Sequence, residues 1–246
     1  MNNPLEPLLD EIRRIGSSGF DFVDLTLEPP RAWPVDPDAI RDALRYTALD
    51  VVGHTAPFLP IGSPYAQLQA TAVDLFAAAC DTFATLGASV VNVHPDPVTR
   101  SYPRDAVAAQ NRAAMEQLVE VAEARGLRLM LENLGPRFGT VEQLRPLIEA
   151  DDRIGFHLDA GHANLGGNHF LAVLAAFGDR LAHVHVSDNF GIDDLHLPLG
   201  AGSNDWPAVA DVLKGRGYDG TVTVEVFSPR YVPSSAELWR TWWDSA

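Results

Sequence analysis

The feature of this 246-residue chain that most restricts its fold is a regular alternation of two kinds of segment. Short apolar runs rich in β-branched residues, such as ASVVNV and GTVTVEV, predict buried strands of a parallel sheet. Longer segments between them have the apolar spacing of helices. The predicted strands are Phe20–Leu27, Asp50–Gly53, Ser89–Val93, Leu127–Leu131, Ile154–Leu158, Leu181–Val186 and Gly220–Val226. The predicted helices are Leu5–Ile15, Asp38–Tyr46, Tyr65–Leu86, Pro103–Ala124, Val141–Ile148, Phe170–Phe177, Trp206–Lys214 and Ser235–Trp243.

Two α/β architectures have this alternation, the (β/α)8 barrel and the doubly wound sheet. No GxGxxG motif follows an early strand, so a dinucleotide-binding wound sheet has no support. Polar residues follow nearly every strand instead of gathering at one switch point, which favours the barrel. We therefore predict an α/β chain folded as a (β/α)8 TIM barrel. Because no linker or low-complexity tract divides it, residues 1–246 are expected to form a single domain.

The predicted barrel lacks one strand. The chain opens on a helical pattern, MNNPLEPLLDEI, which in a complete barrel would follow a first strand. We expect either an incomplete barrel, with its gap beside the strand Gly220–Val226, or a native chain that starts upstream of Met1. Unpaired strand edges invite pairing with another chain. The gap would then be covered by the N-terminal residues or by a neighbouring subunit of a homo-oligomer.

Charge and composition exclude several classes of function. The formal net charge of −15 repels phosphate backbones and anionic lipids, which disfavours nucleic acid and membranes as partners. Lysine chemistry would have to use Lys214, the only lysine, which lies in a helix-like stretch. The single cysteine, Cys80, precludes an intrachain disulfide. No apolar run suits a membrane span and the N-terminus lacks a signal-peptide pattern, so we expect a cytoplasmic protein.

Imidazoles and carboxylates recur at the C-terminal ends of the predicted strands, where a barrel gathers its active site. Five of the eight histidines belong to this set. Such side chains converging on one barrel mouth would repel one another or lack partners without a shared cation, and their chemistry suits Zn, Mn, Co or Fe. The set consists of His54, His94, Glu132, Asp159, His162, His185, Asp188, Asp194, His196 and Glu225.

These residues also have structural interpretations. A single histidine at a strand end is often a hydrogen-bonded rim residue, and Asp159 could cap a helix that begins beside it. Glu132 and Glu225 each close an apolar strand, and a buried carboxylate without a partner is costly, so a functional role is favoured for both. His157 and His183 alternate with the set along their strands and are expected one layer deeper.

Several segments resemble those of the xylose isomerase-like barrels, which join sugar isomerases and epimerases with apurinic-site endonuclease IV. The resemblance covers essentially the whole chain except the missing first strand. Its most specific segments are LENLG, LDAGHAN, HVHVSDN, GYDGTVTVEVF and the D-x-H-x-P-x-G-x-G run at Asp194–Gly202. In the isomerase and epimerase branch, Glu, Asp, His and Glu hold one divalent metal. The resemblance implies that these ligands are Glu132, Asp159, His185 and Glu225.

In the endonuclease branch the same site persists and two more zinc ions flank it. The resemblance implies two further ligand sets, His54 with His94 and Glu132, and His162 with Asp194 and His196. Many isomerase relatives carry similar residues there, so these sets do not choose between the branches. The net charge, the near absence of lysine and the lack of basic or aromatic DNA-inserting loops disfavour a nuclease. The segment SDNFG also lacks the basic residue that the nucleases tend to carry.

The expected function is that of a divalent-metal-dependent isomerase or epimerase of a small sugar or keto-polyol, with one to three ions of Zn, Mn, Co or Mg. Glu132 and Glu225 would remove and return a proton beside a carbonyl, through an enediolate. The other members of the two further ligand sets would bind hydroxyls or additional metal; these are His54, His94, His162, Asp194 and His196.

The substrate itself is not specified by the sequence. Candidates for substrate binding are Arg137, Arg230 and Asp188. A guanidinium can bind a phosphate or carboxylate of the substrate with two hydrogen bonds. A solvated loop residue is an equal interpretation for each of the two arginines. A multinuclear zinc phosphodiesterase acting on abasic DNA is the alternative enzyme. A sugar-binding barrel without catalysis is a third hypothesis.

Overall fold

The computed structural model describes residues 1–3, 5–98 and 101–246. They divide into two compact units. The first unit comprises Met1–Glu132 and Arg145–Gly155, and the second comprises Asn133–Leu144 and Phe156–Ala246.

Strands and helices alternate through both units, as the sequence predicts, and the described residues contain seven strands and nine α-helices. The strands are β1 (Phe22–Leu27), β2 (Asp50–Thr55), β3 (Val90–Val93), β4 (Arg128–Glu132), β5 (Gly155–Asp159), β6 (Leu181–Val186) and β7 (Thr221–Val224). The helices are α1 (Leu8–Gly16), α2 (Pro37–Thr47), α3 (Ala66–Thr85), α4 (Arg104–Glu123), α5 (Val141–Ile148), α6 (Ala160–Asn164), α7 (Phe170–Phe177), α8 (Trp206–Gly215) and α9 (Val232–Ser245).

Local sequence explains where several helices begin. Helix α2 follows Asp36, whose side chain accepts a hydrogen bond from the Asp38 amide, and Pro37 occupies the first helical position. Helix α8 begins in the same way after Asp205, whose carboxylate accepts from the amide of Ala208. Helix α1 begins at Leu8 and not at the predicted Leu5, because the backbone at Pro7 is still extended.

The short helix α6 is absent from the sequence prediction, which leaves residues 160–164 without an element. It begins directly after Asp159, and the carboxylate of Asp159 accepts a hydrogen bond of 2.6 Å from the His162 amide. The capping interpretation of Asp159 is therefore correct. Five residues are too few to show a helical apolar period, which is why the pattern did not reveal the helix.

In the first unit, β1 to β4 are parallel neighbours in chain order. Strand β1 pairs with β2 along its whole length, from Phe22 opposite Asp50 to Leu27 opposite Thr55. The backbone of β1 is also bonded to Asn2. The Asn2 amide N–H donates to the Asp24 carbonyl, and the Asn2 side chain both accepts from the Thr26 N–H and donates to the Thr26 carbonyl. Asn2 is thus bonded to β1, whereas coverage of the gap beside the strand Gly220–Val226 stays a prediction.

In the second unit, β5, β6 and β7 are parallel, with β6 in the middle. The register places His183 between His157 and Thr221, and it places His185 between Asp159 and Thr223. Side chains of one strand that are two residues apart point to the same face. The histidines and Asp159 are therefore stacked in two layers on one face of these strands.

None of the helices in the described part of the chain is long and apolar enough to cross a membrane.

Candidate functional site

The first unit brings together three of the predicted site residues at strand ends. His54 lies one residue before the end of β2, His94 directly follows β3, and Glu132 ends β4. One ligand atom of each lies within 4.8 Å of the other two, and all three side chains are buried. Nε2 of His94 is 3.0 Å from Oε2 of Glu132, which also accepts a hydrogen bond from the amide of Asn92. We call His54, His94 and Glu132 the first cluster.

The second unit brings together three more at the ends of its own strands. Asp159 ends β5, His185 lies one residue before the end of β6, and Glu225 directly follows β7. Nδ1 of His185 is 3.0 Å from Oε2 of Glu225 and 3.8 Å from Oδ2 of Asp159. All three side chains are buried. We call Asp159, His185 and Glu225 the second cluster; it contains three of the four metal ligands that the resemblance implies.

A third cluster lies at α6 and the loop between β6 and α8. It consists of His162, Asp194 and His196, whose ligand atoms lie within 4.8 Å of one another. Oδ2 of Asp194 is 3.0 Å from Nε2 of His162 and 2.9 Å from Nε2 of His196. The His196 ring also stacks on Phe227 with the ring centroids 3.8 Å apart, and its Nδ1 lies 3.1 Å from the Glu225 carbonyl oxygen.

The third cluster stabilises the charged forms of Asp194 and His196. Burial by itself would raise the pKa of Asp194, but hydrogen bonds from His162 and His196 hold that pKa well below its ordinary value. Burial by itself would lower the pKa of His196, but the hydrogen bond to Asp194 and the negative charge of Glu225 raise it to about 9. Without a bound cation, the protein therefore carries an ionised Asp194 beside a protonated His196 at neutral pH.

The two remaining strand histidines lie one layer deeper, as predicted. His157 and His183 are fully buried, and their ring centroids lie 4.1 Å and 5.1 Å from that of His185. Both ring nitrogens of His183 are within hydrogen-bonding distance of threonine hydroxyls, Thr221 at 2.6 Å and Thr223 at 3.1 Å. Both ring nitrogens of His183 thus have partners on the neighbouring strand β7.

Asp188, a sequence candidate for substrate binding, is the centre of a hydrogen-bonded loop. Its fully buried carboxylate accepts hydrogen bonds from the Trp206 indole at 3.0 Å and from several loop donors. The loop donors are the Asn189 N–H, the Gly200 N–H, and the backbone and side-chain amides of Asn204. These contacts hold the loop that carries Asp194 and His196.

The two candidate arginines occupy different environments. Arg137 is half-buried in the segment after β4. Arg230 is exposed, and its guanidinium carbon lies 5.7 Å from the ring centroid of Tyr231. Their assignment to substrate binding stays a prediction.

Several polar residues that contact the clusters are not among the residues predicted from the sequence. Oδ1 of Asp24 lies 3.3 Å from Nδ1 of His54. The side chain of Asn133 accepts a hydrogen bond from the backbone N–H of Asp159 and donates one to its carbonyl. Glu28 follows β1, and burial raises its pKa although the nearby His54 opposes this. A polar residue inside an apolar strand, such as Asp24 in FVDLTL or Asn92 in VVNV, was the available signal.

The chain matches a protein-family model described as "Xylose isomerase-like TIM barrel" over residues 11–242. It is 27% identical to the L-ribulose 3-epimerase of Methylomonas sp. (strain DH-1), covering 92% of this chain and 82% of that one. It is also 27% identical to the inosose isomerase of Bacillus velezensis (strain DSM 23117 / BGSC 10A6 / LMG 26770 / FZB42), covering 66% of this chain and 62% of that one.

Among solved structures, the chain is similar to one reported as a D-tagatose 3-epimerase-like protein. The TM-score is 0.89 and the identity 27%, and the alignment covers 98% of this chain and 95% of that one. The predicted fold class, an α/β TIM barrel, is confirmed by the family match, and the observed strand number agrees with the prediction of seven. The chain belongs to the xylose isomerase-like TIM barrel family.

Proposed function

We propose that this protein is a divalent-metal-dependent epimerase or isomerase of a small sugar or keto-polyol. The observation that carries the proposal is the second cluster, in which a buried imidazole lies within 3.8 Å of two buried carboxylates. The names of the relatives agree with it, because they denote a 3-epimerase of a ketose and an isomerase of an inosose.

The residues of the second cluster fit a metal. Two carboxylates that converge on one imidazole in a buried site repel each other unless a cation or a proton offsets their charge. Asp159, His185 and Glu225, with Glu132 as the fourth ligand that the resemblance assigns, supply the oxygen and nitrogen donors that Mn, Co, Zn or Mg accept. When bound, such a metal would polarise a carbonyl and its neighbouring hydroxyl.

The two glutamates are proposed to move the proton. One carboxylate, Glu132 or Glu225, removes the proton from the carbon beside the substrate carbonyl, and an enediolate forms. The other returns a proton to the opposite face of that carbon, which inverts it, or to the neighbouring carbon, which moves the carbonyl. Oε2 of Glu225 is held 3.0 Å from Nδ1 of His185, so its orientation is set before substrate binds.

The remaining polar residues are proposed to bind the substrate's hydroxyl groups. The first cluster offers His54 and His94, and the third cluster offers an ionised Asp194 as an acceptor and a protonated His196 as a donor. Asp188 is assigned a positioning role in this scheme, because its carboxylate is already saturated by donors of its own loop.

The test is turnover of ketoses such as D-tagatose and L-ribulose by metal-loaded protein in D2O. Wild-type protein is expected to epimerise or isomerise one of them and to incorporate solvent deuterium at the carbon that changes. Glu225→Gln is expected to lose at least about 10³-fold in kcat, because it removes a proton-transferring carboxylate. Glu237→Gln, at an exposed glutamate of α9, is the matched control. Undiminished turnover by Glu225→Gln would refute the role of Glu225.

A zinc phosphodiesterase is the second candidate, because the first and third clusters each gather three metal-binding side chains within 4.8 Å. A metal count separates the two functions. One ion per chain supports the epimerase, whereas two or three ions together with chelator-sensitive cleavage of abasic duplex DNA support the phosphodiesterase. The net charge of −15 favours the first outcome. Sugar binding without turnover, across a panel of metals and ketoses, would support the non-catalytic hypothesis.

A further inference from the structure

Polar and apolar residues alternate along the second half of β1 and just beyond its end. Asp24 and Thr26 are separated by Leu25, so their side chains lie on the same face of the strand. Glu28, the first residue after β1, continues this polar row after Leu27. The apolar residues between them are buried, as expected of a core strand. The row of polar side chains therefore needs an explanation other than core packing.

This polar face of β1 lies beside the first cluster. His54 is opposite Thr26 in the strand register, and its Nδ1 is 3.3 Å from Oδ1 of Asp24. Burial raises the pKa of Glu28, and the nearby His54 opposes the rise. Thr26 and Glu28 are thus neighbours of His54, and all of these residues belong to the first unit.

Two polar atoms of this face are buried and make no hydrogen bond. They are the hydroxyl oxygen of Thr26, a residue that is 3% exposed, and Oε2 of Glu28. Neither atom has a hydrogen-bond partner among residues 1–3, 5–98 and 101–246. A buried polar atom without a partner lowers stability, and such atoms are rare in folded proteins unless they serve another purpose.

The backbone that carries these two side chains is fixed by its own hydrogen bonds. The N–H and the carbonyl of Thr26 both bond to the side chain of Asn2, and the carbonyl of Glu28 accepts from the Ala32 N–H at 3.0 Å. A binding group on a fixed backbone loses less conformational entropy when a ligand binds. The two polar atoms are therefore well placed to receive a ligand.

A hydroxyl group has the chemistry that this pair of atoms requires. It can donate a hydrogen bond to the carboxylate of Glu28 and accept one from the hydroxyl of Thr26. A phosphate does not suit the site, because the carboxylates of Glu28 and Asp24 on the same face would repel its negative charge.

We propose that Thr26 and Glu28 bind a free, unphosphorylated hydroxyl group of the substrate beside the first cluster. The inference rests on the proposed function in one respect, which is that the substrate is a sugar or keto-polyol. In this role the two residues bind substrate and take no part in proton transfer.

The test compares D-tagatose and L-ribulose with their monodeoxy analogues, each of which lacks one hydroxyl group. Apparent Kd values are measured by calorimetry on Mn²⁺-loaded protein. Wild-type protein is expected to bind one analogue at least about tenfold more weakly than the parent ketose, because it loses a hydrogen bond to a carboxylate. In Glu28→Ala the parent and this analogue are expected to bind equally, while the other analogues keep their wild-type ratios to the parent.

The control is Glu116→Ala, at an exposed glutamate of α4 in the same unit, which is expected to bind every ligand as the wild type does. A purely structural effect of Glu28→Ala would weaken the parent ketose and all analogues by one common factor, and that result would overturn the proposal. Phosphorylation of the hydroxyl identified in this way is expected to weaken binding to the wild type by at least about tenfold. Tighter binding of the phosphate ester would also overturn the proposal.

Two substitutions of Thr26 give a readout that needs no ligand. Thr26→Val has nearly the same shape without the hydroxyl, and in chelator-treated protein its urea midpoint is expected to equal or exceed that of the wild type. A lower midpoint would mean that the hydroxyl has a partner within the protein, contrary to the proposal. In Mn²⁺-loaded protein, Thr26→Val is expected to weaken ketose binding about threefold, whereas Thr26→Ser, which keeps the hydroxyl, stays within about twofold of the wild type.

The outcomes separate this site from the proposed function. If the ketoses bind with the expected pattern but are not turned over, the proposed function fails and the binding site stands. If they are turned over while Glu28→Ala keeps the wild-type Kd for the parent, the binding site fails and the proposed function stands. Absence of any ketose binding by the wild type would overturn both.

Discussion

At the scale of single residues, Asp188 shows how one buried carboxylate can organise a loop. Its two oxygens accept hydrogen bonds from residues up to 18 positions away in the chain, among them the buried indole of Trp206. Gly202 is required nearby, since a Cβ there would lie 2.3 Å from Oδ1 of Asp188. The loop is therefore shaped around this carboxylate.

Replacing Asp188 with alanine is expected to lower the free energy of unfolding by at least about 3 kcal/mol, because several donors lose their acceptor and the Trp206 N–H stays buried without one. Urea unfolding measures this. Trp206→Phe, which removes a single donor, is the comparison and should cost about 1–2 kcal/mol. A loss below about 1 kcal/mol in Asp188→Ala would mean that water replaces the carboxylate.

At the scale of elements, β1 pairs with β2 and is also hydrogen-bonded to the N-terminal residue Asn2. The side-chain amide of Asn2 makes two hydrogen bonds to the backbone of Thr26. It accepts from the Thr26 N–H at 2.7 Å and donates to the Thr26 carbonyl at 3.2 Å. Unpaired groups on a strand edge would otherwise be open to water or to another chain.

In Asn2→Ala, the Thr26 amide is expected to exchange its hydrogen at least about fivefold faster, because one hydrogen bond is worth about 1 kcal/mol or more when the group is buried. Hydrogen exchange followed by NMR or mass spectrometry reports this. Asn3→Ala serves as the control, since the Asn3 side chain accepts a hydrogen bond from the nearby Leu5 N–H. Unchanged exchange at Thr26 would contradict the role of Asn2.

The third cluster gives the loop before α8 a dependence on pH. The folded-state pKa of His196, about 9, lies above its unfolded value of about 6.5. The stabilisation is therefore fully present below about pH 6.5 and is lost as the pH rises through the folded value.

Metal-free protein is expected to lose about 2 kcal/mol between pH 7 and 10 from this pair, or roughly 4–8 °C in Tm. Asp194→Asn should flatten that part of the Tm profile, because it removes the partner that raises the His196 pKa. Asp193→Asn, at the adjacent exposed aspartate, should leave the profile as in the wild type. Parallel profiles for the wild type and Asp194→Asn would refute the coupling.

At the scale of the whole molecule, the acidic side chains that give the net charge of −15 include several buried at the clusters. A bound divalent cation would offset part of their mutual repulsion, and binding to the folded state alone raises its stability.

Adding Mn²⁺ or Co²⁺ at 100 times Kd to chelator-treated protein is expected to stabilise it by about 2.7 kcal/mol, or roughly 5–10 °C in Tm. Differential scanning fluorimetry measures the shift. His185→Asn should abolish it by removing a ligand of the second cluster, and Glu237→Gln should preserve it. An equal shift in His185→Asn would place the metal elsewhere.

The sequence alone determined the order of the strands and of every described helix except α6, and it identified the residues at the strand ends. The reason is physical: buried parallel strands are mostly apolar, so the polar residues that end them, such as His94 and Glu132, are conspicuous. Parallel strands also share the edge at which their carboxyl ends meet, so residues far apart in the chain could be predicted as neighbours within the site.

Only the tertiary structure decided which atoms meet. The capping of α6 by Asp159, the saturation of Asp188 by its loop, and the contact of Asp24 with His54 depend on strand register and loop path. Both follow from packing between residues distant in sequence. A polar residue inside a strand has no periodic pattern of its own, because its partner lies on another strand. For that reason the contact of Asp24 with His54 could be recognised only once the structure had placed β1 beside β2.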